Sequence, residues 1–220
     1  MKRNKNIIIS LASVLMFNGY VYTQNQFFTP ASQRINSHKQ SKKLADESLV
    51  SNVRFENIGP TIMSGRITDI DVNPNDPSIY YVAYASGGVW LTENNGQTFT
   101  PVFDYEATMT IGDIAVDLKN RIIWVGTGEN NSSRSSYAGT GIYKISYNDY
   151  AGQVIEHKGL EESHHIGRVI LHPTNPDIIW VAVIGHLFSN NKERGLYKTN
   201  DGGKTWKQTL FVSDKTGIID

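Results

Sequence analysis

The apolar positions of this chain fall into short runs broken by polar, glycine-containing turns, and no stretch keeps the i, i+3, i+4 spacing of an amphipathic helix. Ile67–Val72, Ile114–Val116 and Val169–Leu171 are small and β-branched, which suits strands buried on both faces. Turns rich in proline follow two of them, Asn73–Pro74–Asn75–Asp76–Pro77 and His172–Pro173–Thr174–Asn175–Pro176; proline fixes φ and removes a ladder donor. Second strands are predicted at Ile79–Ala85, Ile122–Gly126 and Ile178–Ile184. A third strand carries an aromatic residue (Trp90, Tyr143 or Tyr197), and a fourth follows a glycine-rich hairpin.

This order of elements repeats. Gly65, Gly112 and Gly167 correspond at steps of 47 and 55 residues, and Gly88–Val89–Trp90, Gly141–Ile142–Tyr143 and Gly195–Leu196–Tyr197 at steps of 53 and 54. Four short strands in a unit of about 40–50 residues are the sequence signature of a β-propeller blade. The expected fold is therefore all-β: a β-propeller built of four-stranded antiparallel blades, about three of them present. Blades are expected at 64–103, 111–160 and 166–211, with a fourth begun at 216. Propellers close with about 4–8 blades, so the reading is of a fragment of a larger propeller.

The first residues have a different character. Lys2, Arg3 and Lys5 precede the apolar run Ile7–Phe17, which is too short for the roughly 20 residues of a bilayer span. With Val21 and Thr23 placed like the small residues before a cleavage site, residues 1–24 read as a secretory signal peptide. No membrane span remains after its removal, and the mature protein is expected to be secreted, periplasmic or at the cell surface. Residues 25–51 are polar and Ser/Lys-rich without a sustained period and read as a flexible linker; the propeller domain is 52–220.

Composition narrows the function classes. Lys+Arg and Asp+Glu are each 21, so the formal net charge is zero, against the basic face that phosphate neutralisation needs; no nucleic-acid partner is expected. The absence of cysteine excludes disulfides, thiol catalysis and Cys-ligated metal sites. No cofactor or metal is expected.

One motif stands out. Thr199–Asn200–Asp201–Gly202–Gly203–Lys204–Thr205–Trp206 is an S/T-x-D-x-G-x-T-W box, and Thr92–Glu93–Asn94–Asn95–Gly96–Gln97–Thr98–Phe99 is the same box with Asn for Asp and Phe for Trp. A carboxylate or amide oxygen at Asp201 or Asn94 accepts turn N–H groups, Gly203 and Gly96 supply positive φ, Thr199 and Thr92 open the turn, and Trp206 or Phe99 lies over the blade edge. A turn-stapling role fits better than a catalytic acid or calcium ligand. In the second unit Tyr147 occupies the Asp position, and the box has decayed.

On these boxes, and on words such as FENIGPTIMSGRI (55–67), VAYASGGVWLTENNG (82–96) and ERGLYKTNDGGKTWK (193–207), the chain resembles the Asp-box (BNR) repeat propellers. That family includes sialidases, sortilin-type receptor domains, xyloglucan-active endoglucanases and large exported bacterial proteins labelled sortilin-like or glycosyl-hydrolase-like. The resemblance implies a propeller that binds protein, peptide or glycan ligands, with the rest of its own propeller as a further partner. It also implies an alternative, a glycoside hydrolase completed by further blades. Photosystem assembly factors share only the architecture. The F-R-I-P word of sialidases is absent; its nearest relative, Phe55–Pro60, lacks the arginine. Where xyloglucan-active propellers carry a catalytic Asp before a Gly-Gly pair, this chain has Ser86 before Gly87–Gly88, and a hydroxyl without a visible base cannot replace a carboxylate. The enzyme reading is the weaker one.

If the starts of the innermost strands and the ends of the second strands share one end of a channel, Arg66, Asp113 and Arg168 converge there with Ser86, Glu129 and His186. These six are the candidate ligand-binding residues. The plainer alternative has Arg66, Asp113 and Arg168 pairing across adjacent blades. Asp69 and Asp71 share a strand face and could coordinate calcium, but ordinary turn or inter-blade hydrogen bonding is the better reading. The long connection Glu129–Tyr137 is a candidate binding loop, and its two N-x-S/T sequons carry no weight in a bacterial protein. His164–His165, adjacent in an extended chain, would face opposite ways and read as solvated turn residues rather than a metal pair.

Overall fold

The computed structural model describes residues 28–53, 65–132, 136–148 and 152–220. The expected signal peptide and the Phe55–Pro60 word lie outside them. Twelve strands form three four-stranded antiparallel sheets with outward orders β1-β2-β3-β4, β5-β6-β7-β8 and β9-β10-β11-β12. The first contains β1 (Ile67–Val72), β2 (Tyr80–Tyr84), β3 (Gly88–Thr92) and β4 (Thr100–Pro101). The second contains β5 (Ile111–Asp117), β6 (Ile122–Thr127), β7 (Ile142–Asn148) and β8 (Gly152–His157), and the third β9 (Ile166–Leu171), β10 (Ile179–Val183), β11 (Gly195–Thr199) and β12 (Lys207–Leu210). The innermost strands β1, β5 and β9 pack side by side, so the sheets are three successive blades of a β-propeller. Residues 216–220, where a fourth blade was expected to begin, form no strand; Ile218 N–H donates to Val183 O at 3.1 Å alongside the third blade.

No blade has a core of its own. Ala83, Val89, Phe103, Ile111, Ile114, Val125, Tyr143 and Ile145 fill the space between the first two blades, with Phe103 and Tyr143 edge to face at 5.2 Å. Trp124, Ile142, Ile166, Val169, Ile179, Val181 and Val183 do the same between the second and third. The middle blade is covered on both faces, whereas Ile70 of β1 and Ile170 of β9 remain about half exposed. Burying such side chains contributes roughly 1.5–3 kcal/mol each, so the stacking of blades, not the strand ladder alone, stabilises the array.

Stacking brings the free edge of each inner strand against its neighbour, and the edge amides need acceptors. Carboxylates supply them. Asp69 and Asp71 of β1 accept from Ile114 N (3.3 Å) and Val116 N (2.8 Å) of β5, and Asp113 of β5 accepts from Val169 N (2.7 Å) of β9. Arg168 reaches the other Asp113 oxygen at 3.3 Å. Burial pushes the Asp113 carboxyl well above the ordinary carboxylate range, with the Val169 amide and Arg168 pulling the other way.

The hairpin box is closed by its own side chains. Asp201 Oδ1 accepts from Lys204 N (3.0 Å), Thr205 N (2.9 Å) and Thr199 Oγ1 (2.7 Å), while Thr199 Oγ1 accepts from Gly203 N (3.0 Å). Gly203 sits at φ 78°, and a Cβ there would come within 2.8 Å of the Trp124 ring of the second blade. Trp206 donates its indole N–H to Lys158 O at 2.6 Å and meets Trp124 edge to face, so the box also ties the third blade to the second. In the first blade Asn94 takes the same part, accepting from Thr98 N at 2.9 Å.

Residues 28–51 differ from the expected linker. Ala31–Asp46 is an α-helix of 16 residues, α1. Only Ala31 of it is buried, so there is no apolar stripe for a periodicity reading to find. Its Ala, Gln, Arg, Lys and Leu residues favour helix, and its start is fixed by tertiary contacts: Glu162 Oε1 accepts from Ala31 N–H (2.9 Å), and Arg34 donates to Gly139 O (2.8 Å).

Two predictions follow from these contacts. Asp113→Ala leaves the buried Val169 amide without an acceptor and lowers unfolding free energy by about 1–3 kcal/mol in urea titrations; Asp113→Asn keeps an acceptor oxygen and recovers most of it. Equal stability of both variants and wild type would count against the inter-blade role. The Asp201 carboxyl is held well below its ordinary value, first by the Thr199 hydroxyl and then by Thr205. A depressed carboxyl contributes stability above its unfolded pKa of about 3.9 and loses it as pH falls toward the folded value. The melting-temperature gap between wild type and Asp201→Ala is therefore constant from about pH 5 to 8 and narrows below about pH 4.

Candidate functional site

The six candidate ligand residues do not converge on one site. Starts of inner strands and ends of second strands do share an end of each sheet, as the pairs Ile67–Tyr84, Ile111–Thr127 and Ile166–Val183 record. Their side chains separate there. Asp113 and Arg168 face the groove along the inner strands, with Asp69, Asp71 and Asp220. Arg66 leaves it and forms a two-pronged ion pair with Glu129, Nε to Oε1 at 2.7 Å and Nη2 to Oε2 at 2.6 Å. Glu129 is fully buried and also accepts from Ser136 Oγ at 3.0 Å. Ser86 is exposed in the β2–β3 turn. His186 belongs to a different place.

That place is a cavity of about 530 Å³ at the rim, lined by Phe28, Arg34, Tyr137, His164, His186 and Phe188 among others. Two connections carry its histidines, and the β6–β7 connection (Ser136–Ala138) and the start of α1 complete its wall. The first runs from β8 to β9 through a one-turn 3-10 helix, Glu161–Ser163, with non-glycine residues at positive φ on either side, Leu160 at 58° and His164 at 57°. His164 combines φ 57° with ψ −51°, a backbone state that costs on the order of 1–3 kcal/mol and persists only where surroundings enforce it. They do: its carbonyl accepts from Gly139 N at 2.7 Å, and Gly128, at φ 88°, leaves room for that carbonyl where a Cβ would collide with it.

The second connection is the β10–β11 loop. Arg194, buried, donates to Ile184 O (2.6 Å), to Ser189 O (3.0 Å) and to His186 O, and Asn191 Oδ1 accepts from His186 N (3.0 Å). His186 is thereby placed against His164, ring centroids 3.7 Å apart, and Phe28 packs on His186 at 4.5 Å. Phe188 (82% exposed) and Tyr137 (63%) stand at the mouth.

His164 and His165 are buried, not solvated, because the 3-10 turn folds them under the rim instead of leaving them in an extended segment. His165 Nδ1 contacts Glu129 O at 2.8 Å, while His164 turns to Glu162 and His186. Burial lowers His164 to about 3, with His186 and Arg34 adding to the effect, and lowers His165 to about 4 against the Glu129 carbonyl. Burial lowers His186 as well. Glu162, His164, Arg34, Phe28 and Phe188 escape sequence reading. The visible signal was the His164–His165 pair, but its partner lies in another blade's loop.

No family model matches the chain, and no curated protein sequence does. Solved structures resemble it. An ancestral GH74 enzyme is 19% identical with a TM-score of 0.47 over 68% of this chain and 19% of that one. The GH74 enzyme of Niastella koreensis is 19% identical with a TM-score of 0.49, over 66% and 22% respectively. The GH74 xyloglucanase from Xanthomonas campestris is 18% identical with a TM-score of 0.44, over 66% and 20%. The chain thus spans about a fifth of the length of these three structures.

The close approach at Gly128 gives a direct check on the site's construction. Gly128→Ala meets both a left-handed backbone and the His164 carbonyl, and is expected to lower stability by more than about 1 kcal/mol in denaturant titrations. Gly152→Ala, also at positive φ but with open space around its Cβ position, loses less. Equal losses at the two positions would mean that the His164 turn is not packed as described.

Proposed function

We propose that this chain is part of an exported Asp-box repeat propeller of the sortilin-like kind that binds protein, peptide or glycan ligands at its rim and performs no catalysis within these blades. The observation that carries the reading is the rim cavity, with aromatic side chains at its mouth and imidazoles and Arg34 inside. Apolar surface with a few converging polar groups, on loops fixed by a rigid scaffold, is the usual form of a ligand site.

The commitments of the carboxylates support the non-catalytic part. Glycoside hydrolysis requires one carboxyl free to protonate the leaving group and a second free to attack or activate water. Here both oxygens of Asp113 and of Glu129 are engaged by arginine, amide or hydroxyl donors, and Asp69 and Asp71 hold amides of β5. Ser86 is a lone exposed hydroxyl. The names of the GH74 neighbours keep hydrolysis as the alternative, with its carboxylates on other blades. Export rests on the signal-like residues 1–24; among the described residues no helix is long and apolar enough to cross a membrane.

The test applies the full chain to printed glycan and tiled-peptide arrays, beside the double variant Tyr137→Ala/Phe188→Ala. Expected is binding to a restricted set of glycans or peptides that weakens at least ~10-fold, about 1.4 kcal/mol, in the variant. An empty array, or variant binding equal to wild type, overturns the assignment of the rim. Release of reducing sugar from xyloglucan by the chain overturns the non-catalytic part.

A further inference from the structure

Beside the rim cavity, where His164 and His186 line it, three potential ligand atoms have no hydrogen-bond partner. Glu162 Oε2, His164 Nε2 and His186 Nε2 are each shielded from solvent and unpaired, although their residues are otherwise well connected. Buried polar atoms are nearly always satisfied, and leaving one unsatisfied is costly. Three such atoms in one cluster ask for a common partner. Glu162, His164 and His186 each offer a ligand atom, all within 4.8 Å of one another, and His164 Nε2 faces Glu162 Oε2 at 3.6 Å. That separation is too long for a hydrogen bond. It is close to the spacing of about 3.3–3.4 Å between two ligands of a tetrahedral ion bound at about 2.0–2.1 Å.

We propose that Glu162, His164 and His186 form a binding site for a divalent transition-metal ion, zinc by ligand preference. Two imidazoles and one carboxylate suit zinc and are too poor in oxygen for calcium or magnesium. Three protein ligands leave a fourth position, for a water or a donor from a bound molecule.

The supporting contacts are those a metal site requires. His186 Nδ1 meets Ser189 Oγ at 2.7 Å, which orients the ring and directs Nε2 to the ion. Glu162 uses Oε1 to accept the Ala31 amide at the start of α1, leaving Oε2 as a single-oxygen ligand. His164 is held in its unusual backbone conformation from both sides, so the ligand is positioned before the ion arrives. Arg34, whose charge acts on both rings, opposes a cation here; the Glu162 carboxylate offsets it.

The chain is purified without a histidine tag, stripped with EDTA, and titrated separately with zinc chloride and cobalt chloride. Expected are one zinc retained per chain after gel filtration and a visible cobalt spectrum of four-coordinate type that zinc abolishes. His164→Gln, His186→Asn and Glu162→Gln each lose the retained zinc, Ser189→Ala binds it ~10–100-fold more weakly, and His38→Ala retains it fully. Circular dichroism shows that each variant is folded. Wild type that is folded yet retains no zinc, or the triple variant retaining as much as wild type, overturns the site. The readout uses metal alone, so array binding can fail while the zinc site stands, and the reverse.

Discussion

A four-stranded sheet of this size has two faces and two edges to satisfy and enough chain for neither. Everything else in the structure follows from the way neighbouring blades complete one another. The apolar faces meet in two inter-blade cores, and the inner-strand amides that stacking would leave stranded are taken by Asp69, Asp71 and Asp113 from the blade before. A single unsatisfied amide costs on the order of 1–3 kcal/mol against a total stability of about 5–15 kcal/mol for a typical domain. The carboxylates are therefore not decoration on the inner strands; without acceptors there, the blades could not approach closely enough to bury their faces.

The same commitment separates scaffold from function. Acidic groups along the inner strands would suit general acid–base chemistry by type and spacing, but each is engaged by an amide or an arginine. Glu129, fully buried, is held from both sides by Arg66. The unsatisfied histidine and Glu162 atoms sit at the rim, in connections whose conformation is dictated from elsewhere: by Arg194 and Asn191 on one side, by Gly128 and Gly139 on the other. Two non-glycine residues at positive φ, Leu160 and His164, flank the same turn. Strain of this kind survives only on a rigid support, and here the support is two blades and the start of α1.

The helix α1 completes that support in an economical way. It buries almost nothing and has no apolar stripe, so its sequence would be marginal as an isolated helix. Two contacts at its first turn, to Glu162 and Gly139, fix it to the rim, and Phe28 just before it covers the His186 ring. A segment that reads as a polar connection thereby becomes part of the cavity wall.

Strand positions, the three-fold repeat and the hairpin box were legible in the residues themselves, because a two-residue alternation, β-branched side chains and glycine at positive-φ turns are local properties. Ile67–Val72 was placed to the residue, and Asp201 and Trp206 take the turn and edge roles their spacing implied. Even the inter-blade use of Asp69, Asp71 and Asp113 was foreseeable once the units were read as blades. The rim was not. His164 and His186 are 22 positions apart on different connections, Glu162 is aimed by a helix that shows no periodicity, and Arg66 turned away to Glu129. Contacts between loops depend on where the blades are carried in space, and no local spacing encodes that; the array had to form before these side chains had neighbours at all.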